Sequence, residues 1–178
     1  MAELILRPNE VESLGQWSED STTIVEYLSD NSNLSTDNTI HNTSGNQSLV
    51  LALTDIPSAQ SNVEFISAKV TIHAHKSNKS LTSSTRINLM IEDDAIVSND
   101  HIISEDELAA YEGSSVSISD YSQDQLNSFT VQITGLLNTQ TFYSEVFVTL
   151  VYTDPPVTGG AIRLENGSIQ LTSGKITL

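Results

Sequence analysis

VEFISAKVTIHAHK, residues 63–76, decides the fold class. Ile66, Ala68, Val70, Ile72 and Ala74 alternate with Lys69, Thr71, His73 and His75, and a period of two sends the two sets to opposite sides of a pleated strand. One side is core; the other faces solvent or a partner. The same alternation recurs at Leu49, Leu51 and Leu53, at Ile87, Leu89 and Ile91, and at Phe129, Val131 and Ile133. The chain is therefore expected to be mainly β. Residues 141–152 differ in being apolar on both sides, with Phe142, Val146, Val148 and Leu150 on one and Tyr143, Phe147 and Val151 on the other. That pattern predicts a central strand covered on both faces.

Punctuation around these strands sets the organisation. Asp154-Pro155-Pro156 removes two backbone donors and ends the last strand, so residues 1–156 are expected to form the main domain. Ser104 with Glu107 and Ser122 with Gln125 carry capping-box spacing, which predicts two short helices between strands. Residues 29–47, rich in Asn, Ser, Thr and Asp, read as a long polar loop or a pair of weak edge strands. Residues 157–178 hold the one internal repeat. Ile162-Arg-Leu164, Ile169-Gln-Leu171 and Ile176-Thr-Leu178 lie seven residues apart, with Gly167 and Gly174 between them. Ile-x-Leu is a strand pattern and the glycines permit a turn in each repeat. Three such strands cannot satisfy their own edges, so the tail is expected to pair with copies of itself or with a neighbouring protein's sheet.

Composition excludes several functions. Lys and Arg number 7 against 23 Asp and Glu, a net charge of −16, which disfavours a nucleic-acid groove or an anionic membrane surface. The absence of Cys rules out a disulfide framework, a thiolate zinc site and a cysteine nucleophile. No apolar run approaches the roughly 20 residues of a membrane helix, and MAELILRPNE lacks a basic segment followed by an apolar one. No Sec-type signal is expected.

Candidate chemistry is sparse. His73 and His75, two apart on a strand, share a face on which Zn²⁺ could be held if a carboxylate or third His faced them; His41 and His101 fall in expected loops. Glu92, Asp93, Asp94 and residues 30–37 offer oxygen ligands for Ca²⁺, but without the spacing of a known calcium loop. No G-x-S-x-G elbow, phosphate-cradling glycine loop or H-E-x-x-H helix occurs. Trp17, five Tyr and four Phe leave few rings for a sugar cleft with paired carboxylates. The expectation is a protein that is not an enzyme and uses no cofactor or metal.

LRPNEVESLGQWS at residues 6–18, the TDIP turn at residues 54–57 and the long alternating strand that follows resemble a recurrent class of tailed-bacteriophage virion proteins. The second half is similar as well, with a short helix leading into a strand and a final apolar strand ending VTLVYTDPP. The resemblance covers roughly residues 4–156. It implies an antiparallel jelly-roll-like β-sandwich with one or two short helices, displayed on the particle as a capsid decoration (cement) protein or as part of a tail or fibre.

The leading expectation is a decoration protein on the virion head surface, made in the host cytoplasm, forming a homotrimer and bridging neighbouring major capsid proteins, with no nucleic-acid or membrane partner. Ile162, Leu164, Ile169, Leu171, Ile176 and Leu178 are the expected partner-binding residues. The alternative is a tail-fibre or spike module that binds a host surface glycan through the polar loops at residues 29–47 and 93–101, with Ca²⁺ bridging sugar hydroxyls. An isolated carbohydrate-binding module would need a catalytic partner domain that this chain does not contain. Charge is divided accordingly: the last 22 residues hold Arg163, Lys175 and Glu165, and the whole of the acid excess lies before them.

Overall fold

The computed structural model describes residues 1–17, 21–29, 39–41, 47–60, 63–76, 82–104, 107–136, 141–153, 162–165 and 168–171. In chain order its elements are β1 (Ala2–Leu6), β2 (Pro8–Leu14), α1 (Ser21–Ser29), β3 (Ile40–His41), β4 (Ser48–Leu53), a 3-10 turn (Ser58–Gln60), β5 (Glu64–Lys76), β6 (Ser83–Ile91), β7 (Asp94–Ile103), β8 (Ala109–Glu112), β9 (Val116–Ser117), α2 (Gln123–Asn127), β10 (Phe129–Gly135), β11 (Thr141–Thr153), β12 (Ile162–Glu165) and β13 (Ser168–Leu171). The first sheet runs β1-β11-β5-β8, with β3 beside β11 and β9 beside β5; the second runs β2-β4-β10-β6-β7. All pairings are antiparallel. Without β4, the two orders are those of a jelly roll built from two Greek keys; β4 is an extra strand between β2 and β10. The expected mainly β sandwich is what the chain forms.

The alternating apolar sets meet between the sheets. Ala68, Val70, Ile72, Val146, Val148 and Leu150 of the first sheet and Leu49, Leu51, Ile87, Leu89, Val131 and Ile133 of the second are all buried. Each fully buried aliphatic side chain contributes about 1.5–3 kcal/mol. A buried polar bridge crosses the same space: Tyr143 Oη donates to Thr85 Oγ1 at 2.9 Å, Thr85 Oγ1 donates to the Thr134 carbonyl at 3.2 Å, and Ser83 and Thr141 share a hydroxyl hydrogen bond. Burial pushes the Tyr143 phenol up to about 12, because the phenolate would have to form away from water.

Arg7 marks where the chain leaves the first sheet for the second. Its carbonyl accepts from Thr54 N at 2.8 Å and its own N–H donates to Thr54 Oγ1 at 3.3 Å, and Pro8 then opens β2, a position that tolerates its missing donor. α1 follows, with Ile24 and Leu28 one turn apart and both buried.

Two bulges correct the expected faces. Between β5 and β11, Ser67 pairs Val151 but Phe65 pairs Tyr152. Ile66 is the extra residue, so Phe65 is buried in its place and Ile66 is only half-buried. In β11, Tyr143 pairs Ala74 but Glu145 pairs His73, which makes Ser144 the extra residue. Tyr143 therefore joins Val146, Val148 and Leu150 in the core, while Phe142 moves to the outward side with Glu145 and Phe147. β11 is central as expected, but its outward face is half-exposed rather than covered.

Ser122 and Gln125 form the expected capping box of α2, and Asn127 Oδ1 of that helix accepts from Ile56 N at 2.9 Å. The helix expected after Ser104 is not formed over residues 109–112, which are β8. There Tyr111 pairs with the core residue Ile72, and a ladder beside β5 satisfies backbone groups that one isolated helical turn would leave open. α1 had no counterpart in the periodicity. Within the polar stretch 29–47, the described part contains β3, one weak edge strand pairing with Phe142 and Tyr143. Residues 93–101, expected as a loop, are mostly β7. Glu92 and Asp93 form the β6–β7 turn with φ of 49° and 71°, the left-handed conformation of a tight hairpin, so that stretch is a turn and not a calcium loop. His41 and His101 accordingly lie on strands, β3 and β7.

β12 and β13 form a separate two-stranded sheet in which Ile162 pairs Leu171 and Leu164 pairs Ile169. The third expected strand, with Ile176 and Leu178, lies outside the described residues.

Candidate functional site

The outward face of the first sheet carries a connected group of charged and aromatic side chains. It begins at Glu145, whose side chain is only 4% exposed. A buried carboxylate needs compensation, and Arg7 supplies it from the sheet crossing: Arg7 Nη1 lies 2.6 Å from Glu145 Oε1 and also donates to the Ser29 carbonyl at the end of α1, at 3.2 Å. His73 lies on the other side, with Nδ1 2.7 Å from Glu145 Oε2. That contact has the distance of an ion pair but not hydrogen-bond alignment, since Nδ1 has no aligned partner. Phe147 sits beneath this group, with the Arg7 guanidinium 5.5 Å from its ring centre and the His73 ring 6.2 Å away. A cation over an aromatic face is attracted to the ring's negative quadrupole.

Towards one end of β11 the face is aromatic. His75 stacks on Phe142 with ring centres 5.1 Å apart, and His41 meets the same ring at 4.9 Å. The two histidines considered for Zn²⁺ are thus half-buried and engaged separately, His73 by Glu145 and His75 by Phe142. Among the described residues no group of three or more His, Asp or Glu is close enough to share a metal ion.

Towards the other end the face dips into a groove of about 380 Å³. Strand register orders its lining. Glu3, Val151 and Ser67 form one cross-strand row, and Ile5, Thr149 and Lys69 form the next. Phe147, Thr71 and Glu112 form the third, and Ser115 closes the side beyond β5. Lys69 Nζ bonds Glu112 Oε2 at 2.8 Å across it.

On the second sheet Arg86 clamps Asp100 through two hydrogen bonds, at 2.7 and 2.9 Å, holding the Asp100 carboxyl below its usual range. His101, beside it, is held low by burial. This exposed pair spans β6 and β7, where the glycan reading expected a sugar-binding loop.

Of the expected site residues, Ile162, Leu164, Ile169 and Leu171 are brought into register on β12 and β13; Ile176 and Leu178 lie outside the described residues. Arg7, Glu145 and Phe147 were not singled out from sequence. A signal existed: Glu145 is the only charged residue in TFYSEVFVTLVYT, and an acid inside an apolar strand calls for a cation.

No protein-family model matches the chain, and no curated protein matches it. Among solved structures it is similar to a Stig cyclase, Fisc from Fischerella sp. TAU, at 11% identity and a TM-score of 0.39, over 70% of this chain and 81% of the other. A likeness at that level carries no functional argument.

Proposed function

We propose that this chain is a structural protein of a tailed-bacteriophage particle, a capsid decoration protein that forms a homotrimer on the head surface and bridges neighbouring major capsid proteins. The observation that carries the reading is the β12–β13 hairpin. It is a two-stranded sheet apart from both sheets of the sandwich, and such a hairpin is marginal in water by itself. Its outer edges offer unpaired backbone groups, among the described residues, to a strand from another chain. The tail's Ile-x-Leu repeats add an apolar stripe, and burying six such side chains contributes on the order of 10 kcal/mol before ordering entropy is subtracted. The acidic body, rich in Ser and Thr, suits a protein that remains soluble at high local copy number.

Deleting residues 157–178 is the direct test. The truncated chain should be monomeric by light scattering and should leave particles undecorated; a truncated chain that still trimerises and still decorates heads rules the mechanism out. Copies per particle supply the second measurement. Hundreds are expected, whereas a handful would place the protein in a tail or spike.

A further inference from the structure

We infer that the groove on the outward face of the first sheet binds a short neutral glycan. The inference is independent of the tail and of where the protein sits on a particle. It starts from the groove's chemistry. Ser67 and Thr149 present hydroxyls, Glu3 and Glu112 present carboxylates, and Phe147 presents a half-buried ring, while Thr71 lies buried in the floor. A sugar offers the complement, with vicinal hydroxyls that both donate and accept, and an apolar C–H face that packs on an aromatic ring.

Other ligand classes fit less well. Lys69 is already engaged by Glu112 at 2.8 Å, so two carboxylates against one ammonium leave the groove acidic within a chain of charge −16, which repels phosphate, sialic acid and nucleic acid. A peptide strand is disfavoured because the groove lies on a sheet face: its floor strands β11 and β5 are interior to the sheet, β11 between β1 and β5 and β5 between β11 and the β8 and β9 strands, so neither is an open edge for strand addition. The volume of about 380 Å³ lies at the low end of ligand sites, roughly 300–1,000 Å³, which suits one or two pyranose rings. The lining is preorganised, since its side chains stand on paired strands and Phe147 is held by Arg7.

The test is titration of the full-length protein with maltose, cellobiose, lactose and N,N′-diacetylchitobiose, and with sialyllactose as the anionic control, followed by backbone amide NMR shifts. At least one neutral disaccharide should give saturable shifts centred on residues 3–5, 67–71, 112–115 and 147–151, and sialyllactose should bind about tenfold more weakly or not at all. Ser67→Trp, which fills the groove, should abolish the shifts. Phe147→Leu should weaken binding about tenfold while the spectrum away from the groove stays unchanged. The inference is overturned if no neutral disaccharide shifts the groove residues, if the shifts survive Ser67→Trp in a folded protein, or if sialyllactose binds as well as its neutral counterparts. None of these outcomes depends on the copy number or on trimer formation, so a failure here is distinguishable from a failure of the decoration reading.

Discussion

Arg7 and Glu145, 138 residues apart in the chain, meet at 2.6 Å on the outward face of the first sheet. Arg7 occupies the single residue between β1 and β2, where the chain passes from one sheet to the other, and Glu145 directly follows the β11 bulge. The pair therefore links the sandwich's first crossover to its central strand. Because Glu145 is almost fully buried, removal of Arg7 leaves its carboxylate with only His73 Nδ1 nearby, 2.7 Å from Oε2 and not aligned for a hydrogen bond. Arg7→Met is expected to destabilise the fold by about 3 kcal/mol, and adding Glu145→Gln to it should restore much of the loss. Urea unfolding of the two single variants and the double variant checks this. Strictly additive losses would show that the two residues are not coupled.

Tyr143 makes stability fall at alkaline pH. Its phenol is raised from the usual 10 to about 12 by burial, so between those values the unfolded chain has released a proton that the folded chain retains. The unfolded state then binds fewer protons, and stability falls as pH rises through that window, with no contribution from this group below pH 10. Two pKa units correspond to about 3 kcal/mol once both states have titrated. Tyr143→Phe should remove that pH dependence and cost about 1 kcal/mol at neutral pH for the lost hydrogen bond to Thr85. Unfolding free energies at neutral pH and at several points above pH 10 measure both effects.

The β6–β7 hairpin carries strain that a better turn sequence would relieve. Glu92 and Asp93 hold φ of 49° and 71°, a region that costs residues other than glycine about 1–2 kcal/mol each, with Asn and Asp the most tolerant. Asn-Gly is the preferred pair for this turn. The double substitution Glu92→Asn with Asp93→Gly is expected to add about 1 kcal/mol and to raise the melting temperature. A lower melting temperature would mean that these carboxylates have a role beyond the turn.

Much of the sandwich was legible from period-two alternation, because Leu49-Leu51-Leu53, Ile87-Leu89-Ile91 and Phe129-Val131-Ile133 each have one side to bury. Alternation cannot reveal a bulge, which shifts the phase by one residue without changing composition. For that reason Ile66 was assigned to the core where Phe65 lies, and Phe142 was placed on the face of Val146, Val148 and Leu150 that Tyr143 shares. α1 was hidden because its opening Ser21-Thr22-Thr23 carries weak helix formers and its buried stripe is only Ile24 and Leu28. The groove was invisible for a different reason. Its rows join β1, β5, β8 and β11, and residues such as Glu3, Lys69 and Glu112 become neighbours only through strand order.

Two glycines near strand edges should respond differently to a methyl group. A Cβ on Gly15 would lie 2.7 Å from the Ser48 carbonyl oxygen and 3.2 Å from Gln47 Oε1. The first neighbour is backbone at the start of β4 and cannot move without separating β2 from β4, so Gly15→Ala should cost about 1–3 kcal/mol. At Gly113 the nearest atom is Asn99 Nδ2 at 3.1 Å, with the Val70 carbonyl at 3.4 Å. A side-chain amide can shift by a few tenths of an ångström, and the loss of unfolded-chain freedom offsets part of the cost, so Gly113→Ala should stay within about 1 kcal/mol of the parent. Thermal unfolding of both variants gives the order. If Gly113→Ala is the more damaging of the two, the β2–β4 contact is not the rigid one, and the Asn99 hydrogen bonds to Ser114, at 3.0 and 2.8 Å, hold that loop more firmly than the backbone holds β2.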